Sequence, residues 1–154
     1  NKSDAKVIER CNRLGINALF FNRQAFSKSN FILDMLRSLE PDLIVLAGFL
    51  WKIPEAITNA FPNKIINIHP ALLPKYGGKG MYGMHVHNAV KEAKETETGI
   101  TIHYVNAHYD EGAIIQQVKT VVNPKDSPEE IASKVHLLEY EFFPKVIDEL
   151  LSKQ

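Results

Sequence analysis

Ile65-Ile66-Asn67-Ile68-His69-Pro70, running on into Ala71-Leu72-Leu73-Pro74-Lys75-Tyr76, is the stretch from which the rest of the chain is read. A short apolar run ends in two polar side chains one residue apart, and a proline then stops the strand. Side chains alternate along a strand, so Asn67 and His69 share a face. An amide donor beside an imidazole, at the exit of a buried strand, suits carbonyl chemistry. The amide can hydrogen-bond a developing oxyanion while the imidazole moves or stabilises a proton. Taken alone, such a pair is more often a strand end whose polar groups cap a turn.

Upstream, Leu43-Ile44-Val45-Leu46-Ala47-Gly48-Phe49 is a continuous apolar run, as a parallel strand covered on both faces requires. Between the two runs, Pro54 predicts a helix with proline at its first position, extending through Ala56, Ile57 and Ala60. Phe31, Leu33, Met35, Leu36 and Leu39 recur at helical spacing and stop before Pro41. Ala18-Leu19-Phe20-Phe21 reads as a short buried strand, and Ala5 to Leu14 as a helix closed by Gly15. The order α-β-α-β-α-β predicts an α/β fold with a doubly wound, Rossmann-like, mostly parallel sheet. Ligands of such sheets gather at the carboxyl ends of the strands. Gly48-Phe49 and Asn67 to His69 both lie there.

Downstream the pattern changes. Gly77-Gly78-Lys79-Gly80 is a loop, and a helix follows from about His85 to Lys94. Gly99 to Val105 alternates as a strand with one more polar face, and Ala113 to Val122 supplies another. The short connector, Asn106 to Gly112, predicts an antiparallel pair. Ser127-Pro128-Glu129-Glu130 is a helix start with serine as N-cap, proline at the first position and glutamate three residues after the cap. The stripe Ile131, Val135, Leu138, Phe142, Val146 and Leu150 continues that helix, which Pro144 is expected to kink or split.

With 154 residues, 45% hydrophobic and 23% charged, the chain fits one soluble domain spanning 1–154. Basic and acidic residues balance at 18 each, which leaves no electrostatic case for nucleic acid or an anionic membrane. The lone Cys11 excludes an internal disulfide, suits a reducing compartment and is expected to pack as a small buried residue. No run reaches the length of a membrane span and no secretory signal is visible, so the cytoplasm is the expected location.

Asp110-Glu111-Gly112 follows the downstream strand, from which Asp110 could reach the Asn67/His69 strand end. A carboxylate there favours imidazolium, giving an oxyanion donor, a cation and a general base together. The bland role for Asp110 is a turn residue before Gly112. His85-Val86-His87 lacks the accompanying carboxylate or cysteine cluster of a metal site, and no metal is expected.

Asn67 to Tyr76, followed by Gly99-Ile100-Thr101-Ile102-His103 and Asp110-Glu111-Gly112, closely resembles the formyltransferase family that uses 10-formyltetrahydrofolate, above all its glycinamide ribonucleotide branch. Pro41 to Phe49 and Glu139 before Phe143-Pro144 match as well, so the similarity covers nearly the whole chain with several motifs in order. The resemblance implies formyl transfer from 10-formyltetrahydrofolate, as co-substrate, to the amine of glycinamide ribonucleotide in purine biosynthesis. It implies that Asn67 holds the formyl oxygen, that His69 is the charged partner of the oxyanion, and that Asp110 pairs with His69 and assists proton transfer. It maps the pterin pocket onto Leu46, Leu50, Ile53, Ile65 and Val105, with backbone of the Asn106, Ala107 and Tyr109 loop. Glu139 falls to the ribose hydroxyls of the glycinamide substrate, with Pro70 also assigned to that substrate, and His136, three residues before Glu139 and on the same helix face, is a further candidate contact. His103 also matches a family histidine near the site. No metal, nucleic acid or membrane partner is implied, and a monomer or homodimer is expected.

Three departures qualify the match. The family opens with a strand and a glycine-rich turn at a helix N-terminus that cradles the substrate phosphate. That β-α-β portion is missing from the sequence, which is therefore expected to be N-terminally incomplete and to expose apolar surface. Trp51 and Lys52 stand where relatives often carry an arginine near the folate tail, leaving Lys52 or Lys75 as candidates for its carboxylates or as plain surface lysines. The Gly77 to Met84 segment is longer than in many relatives and is given no role. Formyltetrahydrofolate hydrolase, a metal-dependent hydrolase built on His69, His85 and His87, and a catalytically incompetent folate-binding fragment are the competing readings.

Overall fold

The computed structural model describes residues 3–153, which form two compact units divided after Pro41. In the first, helix α1 (Lys6–Arg13) ends where Gly15 takes the left-handed conformation at φ 66°. That conformation brings the Ile16 N–H to the Cys11 carbonyl at 2.9 Å, a backbone closure typical of a glycine-stopped helix. Cys11 is only partly buried, because α1 buries none of its residues. The expected strand at Ala18 to Phe21 is absent, and Leu19 and Phe20 are exposed. An extended segment becomes a strand only by pairing, and among the described residues of this unit no strand forms to complete a ladder. In its place comes helix α2 (Arg23–Ser27), which the Asn22 side chain caps by accepting from the Ala25 N–H at 2.8 Å. Helix α3 (Phe31–Leu39) follows as the spacing predicts, burying Ile32 and Leu33.

The second unit is built on a four-stranded sheet of order β1 (Ile44–Leu46), β2 (Ile65–His69), β3 (Glu97–Tyr104) and β4 (Ile114–Val121). Strand β1 runs parallel to β2, and helix α4 (Glu55–Ala60) lies between them in the chain. Pro54 caps α4 from outside, one position before the predicted placement. The β2–β3 and β3–β4 pairs are antiparallel, so the described sheet is mixed, with a smaller parallel share than the α-β alternation suggests.

Helix α5 (Met84–Glu92) and the long α6 (Pro128–Leu151) complete the unit. Ser127 and Glu130 form the reciprocal capping box at the start of α6. Pro144 sits inside α6 without dividing it. Ile66, Ile100, Ile102, Val135, Phe143 and Val146 form one core cluster between sheet and α6. Ala71, Val86, Val90, Val122 and Ile131 form a second. Burying a side chain of this size stabilises by roughly 1.5–3 kcal/mol, so these two clusters anchor the elements that carry the polar residues.

Strand β3 is central and buried on both faces, where alternation alone suggests a wetter one. Ile100 and Ile102 enter the core, while Thr101 and His103, on the opposite face, are buried and hydrogen-bonded. Two glycines permit close backbone approach here. A Cβ on Gly99 would lie 1.9 Å from the Val118 carbonyl oxygen, and one on Gly112 1.7 Å from that of Tyr104.

Candidate active site

The β2–β3 register places Asn67 opposite His103 and His69 opposite Thr101. Directly paired residues point to the same face, so Asn67, His69, Thr101 and His103 share one face of the sheet without any local motif. The Asn67 Nδ2 amide lies 3.2 Å from His103 Nε2. His103 Nδ1 lies 2.8 Å from the Tyr104 carbonyl, which can only accept, so Nδ1 carries a proton. In the neutral ring Nε2 then accepts from Asn67, and the second N–H of that amide stays available.

Asp110 arrives from the β3–β4 connector in a left-handed conformation, φ 55°. Its carboxylate stands between two histidines, Oδ2 3.6 Å from His69 Nδ1 and Oδ1 3.6 Å from His103 Nε2. The Gly78 N–H donates to Oδ2 at 2.9 Å. Burial would raise the Asp110 carboxyl, but His103, the Gly78 N–H and the His69 charge together hold it below the ordinary carboxylate range. It is an anion near neutrality.

His69 is 3% exposed. Its Nε2 lies 2.7 Å from the Tyr76 carbonyl, so Nε2–H donates there and Nδ1 faces Asp110. Burial lowers its pKa below 6.5, outweighing the opposing pull of Asp110 and of the Tyr76 carbonyl, while His103 adds to the lowering. The expectation that the carboxylate dominates is therefore corrected: desolvation of the charged ring wins. A proton taken up at Nδ1 would complete an imidazolium held between a carbonyl and a carboxylate.

Asn67, His69 and Asp110 line a cavity of about 1030 Å³ together with Gly48, Leu50, Pro70, the Gly78–Gly83 loop, His136, Glu139 and Tyr140. Pro70, His136 and Glu139, predicted for one substrate, thus share a wall with Asn67, His69 and Asp110. His136 Nε2 lies 4.0 Å from Glu139 Oε2, and burial raises the Glu139 carboxyl against that partner. Leu46, Ile53, Val105, Asn106 and Tyr109 line a cleft of about 60 Å³ that shares Phe49, Asn67, Tyr109 and Asp110 with the larger cavity. Three of the predicted pterin residues fall elsewhere. Leu50 is on the larger cavity, Ile65 is sealed at 1% exposure, and Ala107 lines neither space.

The sequence reading missed several contributors. The Tyr76 carbonyl and the Gly78 N–H are backbone groups that carry no sequence signal. Phe143, Ile147 and Leu151 of α6 lie outside the predicted apolar stripe, one position on from Phe142, Val146 and Leu150, and as apolar helix residues are indistinguishable in sequence from core positions. His85 and His87 diverge: His85 is exposed, whereas His87 is 2% exposed, lines the cavity and stacks edge-on against His136.

The formyl transferase family profile matches residues 1–147. Phosphoribosylglycinamide formyltransferase of Bacillus subtilis is 38% identical over 157 residues, 98% of this chain and 77% of that protein. The chloroplastic phosphoribosylglycinamide formyltransferase of Arabidopsis thaliana is 41% identical over 152 residues, 96% of this chain and 52% of its own length. Against that protein and its Vigna unguiculata counterpart, the chain spans about half the relative's length. Among solved structures, the phosphoribosylglycinamide formyltransferase of Bacillus halodurans superposes with a TM-score of 0.88 at 30% identity, covering 99% of this chain and 78% of that one.

Proposed function

We propose, for a chain that belongs to the formyl transferase family, that it transfers the formyl group of 10-formyltetrahydrofolate to the primary amine of glycinamide ribonucleotide. The observation that carries this reading is Asp110 standing 3.6 Å from both His69 and His103 at the wall that Asn67 shares.

The amine attacks the formyl carbon, forming a C–N bond and moving the carbonyl electron pair onto oxygen. Asn67 offers that oxyanion the amide N–H not held by His103, and a protonated His69 supplies positive charge beside it. An arriving anion counteracts the desolvation that lowers the His69 pKa. Asp110 takes the proton lost by the attacking nitrogen, through a water molecule, and passes it to the departing folate nitrogen as the second C–N bond breaks. No covalent enzyme intermediate is needed, and no metal.

Glu139 and His136 suit ribose hydroxyls, and Pro70 closes the wall beside them. Leu46, Ile53 and Val105, rimmed by the backbone of Asn106 to Tyr109, suit a flat heterocycle with polar edges. Among the described residues no helix is long and apolar enough to cross a membrane. A cytoplasmic enzyme with one catalytic domain, acting as a monomer or homodimer without nucleic acid, completes the reading.

The test is incubation of the chain with 10-formyltetrahydrofolate and glycinamide ribonucleotide. Formylated product is expected. Loss of formyl to water without that product would favour the hydrolase reading, and folate binding without either reaction would favour an incompetent fragment.

A further inference from the structure

Tyr76 is a bulky residue in the left-handed region, φ 56°, a conformation that costs free energy for any side chain with a Cβ. Its carbonyl oxygen is the acceptor for His69 Nε2–H at 2.7 Å. Relaxing Tyr76 to ordinary backbone angles would swing that carbonyl away from the imidazole. Something must hold the residue where it is.

The phenol hydroxyl donates to Glu95 Oε1 at 2.9 Å, from the segment between α5 and β3, and Lys75 Nζ donates to the same oxygen at 2.9 Å. A hydrogen bond to a carboxylate is among the stronger ones. The Tyr76 ring also packs on the Ala71, Val86, Val90, Val122 and Ile131 cluster. The preceding residues are pinned separately: Thr101 Oγ1 accepts from the Leu73 N–H at 3.0 Å and donates to the Ala71 carbonyl at 2.6 Å, and Gln117 Nε2 donates to the Leu73 carbonyl at 2.9 Å. The peptide unit after Tyr76 is thus fixed from two directions, and neither Tyr76 OH nor Glu95 lines the cavity.

We propose that Tyr76 and Glu95 are positioning residues: the Tyr76–Glu95 bond holds a strained backbone whose carbonyl fixes the tautomer and orientation of the His69 imidazole. The inference deepens the reading of His69 as the charge-bearing group of the site, because it makes Nδ1, facing Asp110, the nitrogen that gains and loses the proton. Glu95 acts from outside the cavity, through Tyr76.

Imidazole nitrogen NMR of the chain itself tests this without reference to any turnover, so its failure and failure of the formyl-transfer reading are separable. In the unaltered chain His69 is expected to show two well-separated nitrogen resonances, one of them protonated Nε2. In Tyr76→Phe and in Glu95→Ala that separation should shrink towards the average of a tautomer mixture, and the His69 midpoint should move lower as the carbonyl acceptor is lost. Lys75→Met, which leaves the phenol bond, should keep the separation. Glu95 is near the surface, so its variant reads the effect even if Tyr76→Phe fails to fold. Unchanged His69 resonances in a folded Glu95→Ala chain overturn the proposal, as does an equal loss in Lys75→Met.

Discussion

Asn67 and His103 face each other across the β2–β3 ladder, with the amide nitrogen 3.2 Å from imidazole Nε2. One amide N–H is thereby spent on orientation, and the other is aimed by it. In His103→Ala the Asn67 amide loses its anchor and Asp110 loses one of its two imidazole neighbours. Turnover in the formyl-transfer assay is expected to fall about 10- to 100-fold, with substrate KM values changing far less.

Asp110→Asn keeps the shape of the connector and removes the charge. Turnover is expected to fall on the order of 10²–10⁴-fold, the usual weight of a general base, while folate binding measured by calorimetry stays within a few-fold. The His69 midpoint should move further down, since Asp110 is the largest influence opposing desolvation there. Wild-type-like turnover would remove Asp110 from the proton path.

Asn67→Ala deletes the proposed oxyanion donor. A loss of about 10²–10³-fold in kcat is expected, with ground-state binding little changed. A variant that raises KM at constant kcat would instead make Asn67 a binding residue.

His87 offers a pH test of stability. Burial, with the charges of His136 and His69, lowers its pKa from 6.5 to about 4, and its Nδ1 has no hydrogen-bond partner. Between those values the unfolded chain binds a proton that the folded chain refuses. Stability is therefore full above pH 6.5 and falls as pH drops through the window, by on the order of 3 kcal/mol at pH 4. Denaturant unfolding of His87→Gln should show a correspondingly smaller difference between pH 7 and pH 4. An unchanged difference would mean that His87 does not titrate in this way.

Gly112→Ala places a methyl group 1.7 Å from the Tyr104 carbonyl oxygen, a clash with backbone that only a main-chain shift can relieve. Destabilisation of at least about 2 kcal/mol is expected in chemical unfolding, together with displacement of the neighbouring Asp110.

Much of the scaffold is legible locally. The capping box of α6, the apolar run of β2 and the antiparallel β3–β4 pair rest on interactions within a few residues or on a short connector. The Ala18 to Phe21 strand failed because apolar composition sets a preference for burial, whereas a strand also needs a partner ladder that no local pattern can supply. The polar face of β3 is buried for the same reason, since its burial depends on both neighbouring strands.

The sequence by itself singled out Asn67, His69 and Asp110 as candidates, because they sit in motifs that resemble those of the formyl transferase family in residue type and order. Tertiary structure alone decided their protonation and orientation. The pairing of Asn67 with His103 and the Gly78 N–H on Asp110 join segments more than thirty residues apart, and the desolvation of His69 and its Tyr76 carbonyl acceptor depend on how the chain folds back beyond the strand end. Charge energies and hydrogen bonds depend on distance and burial in space, and neither is encoded by separation along the chain.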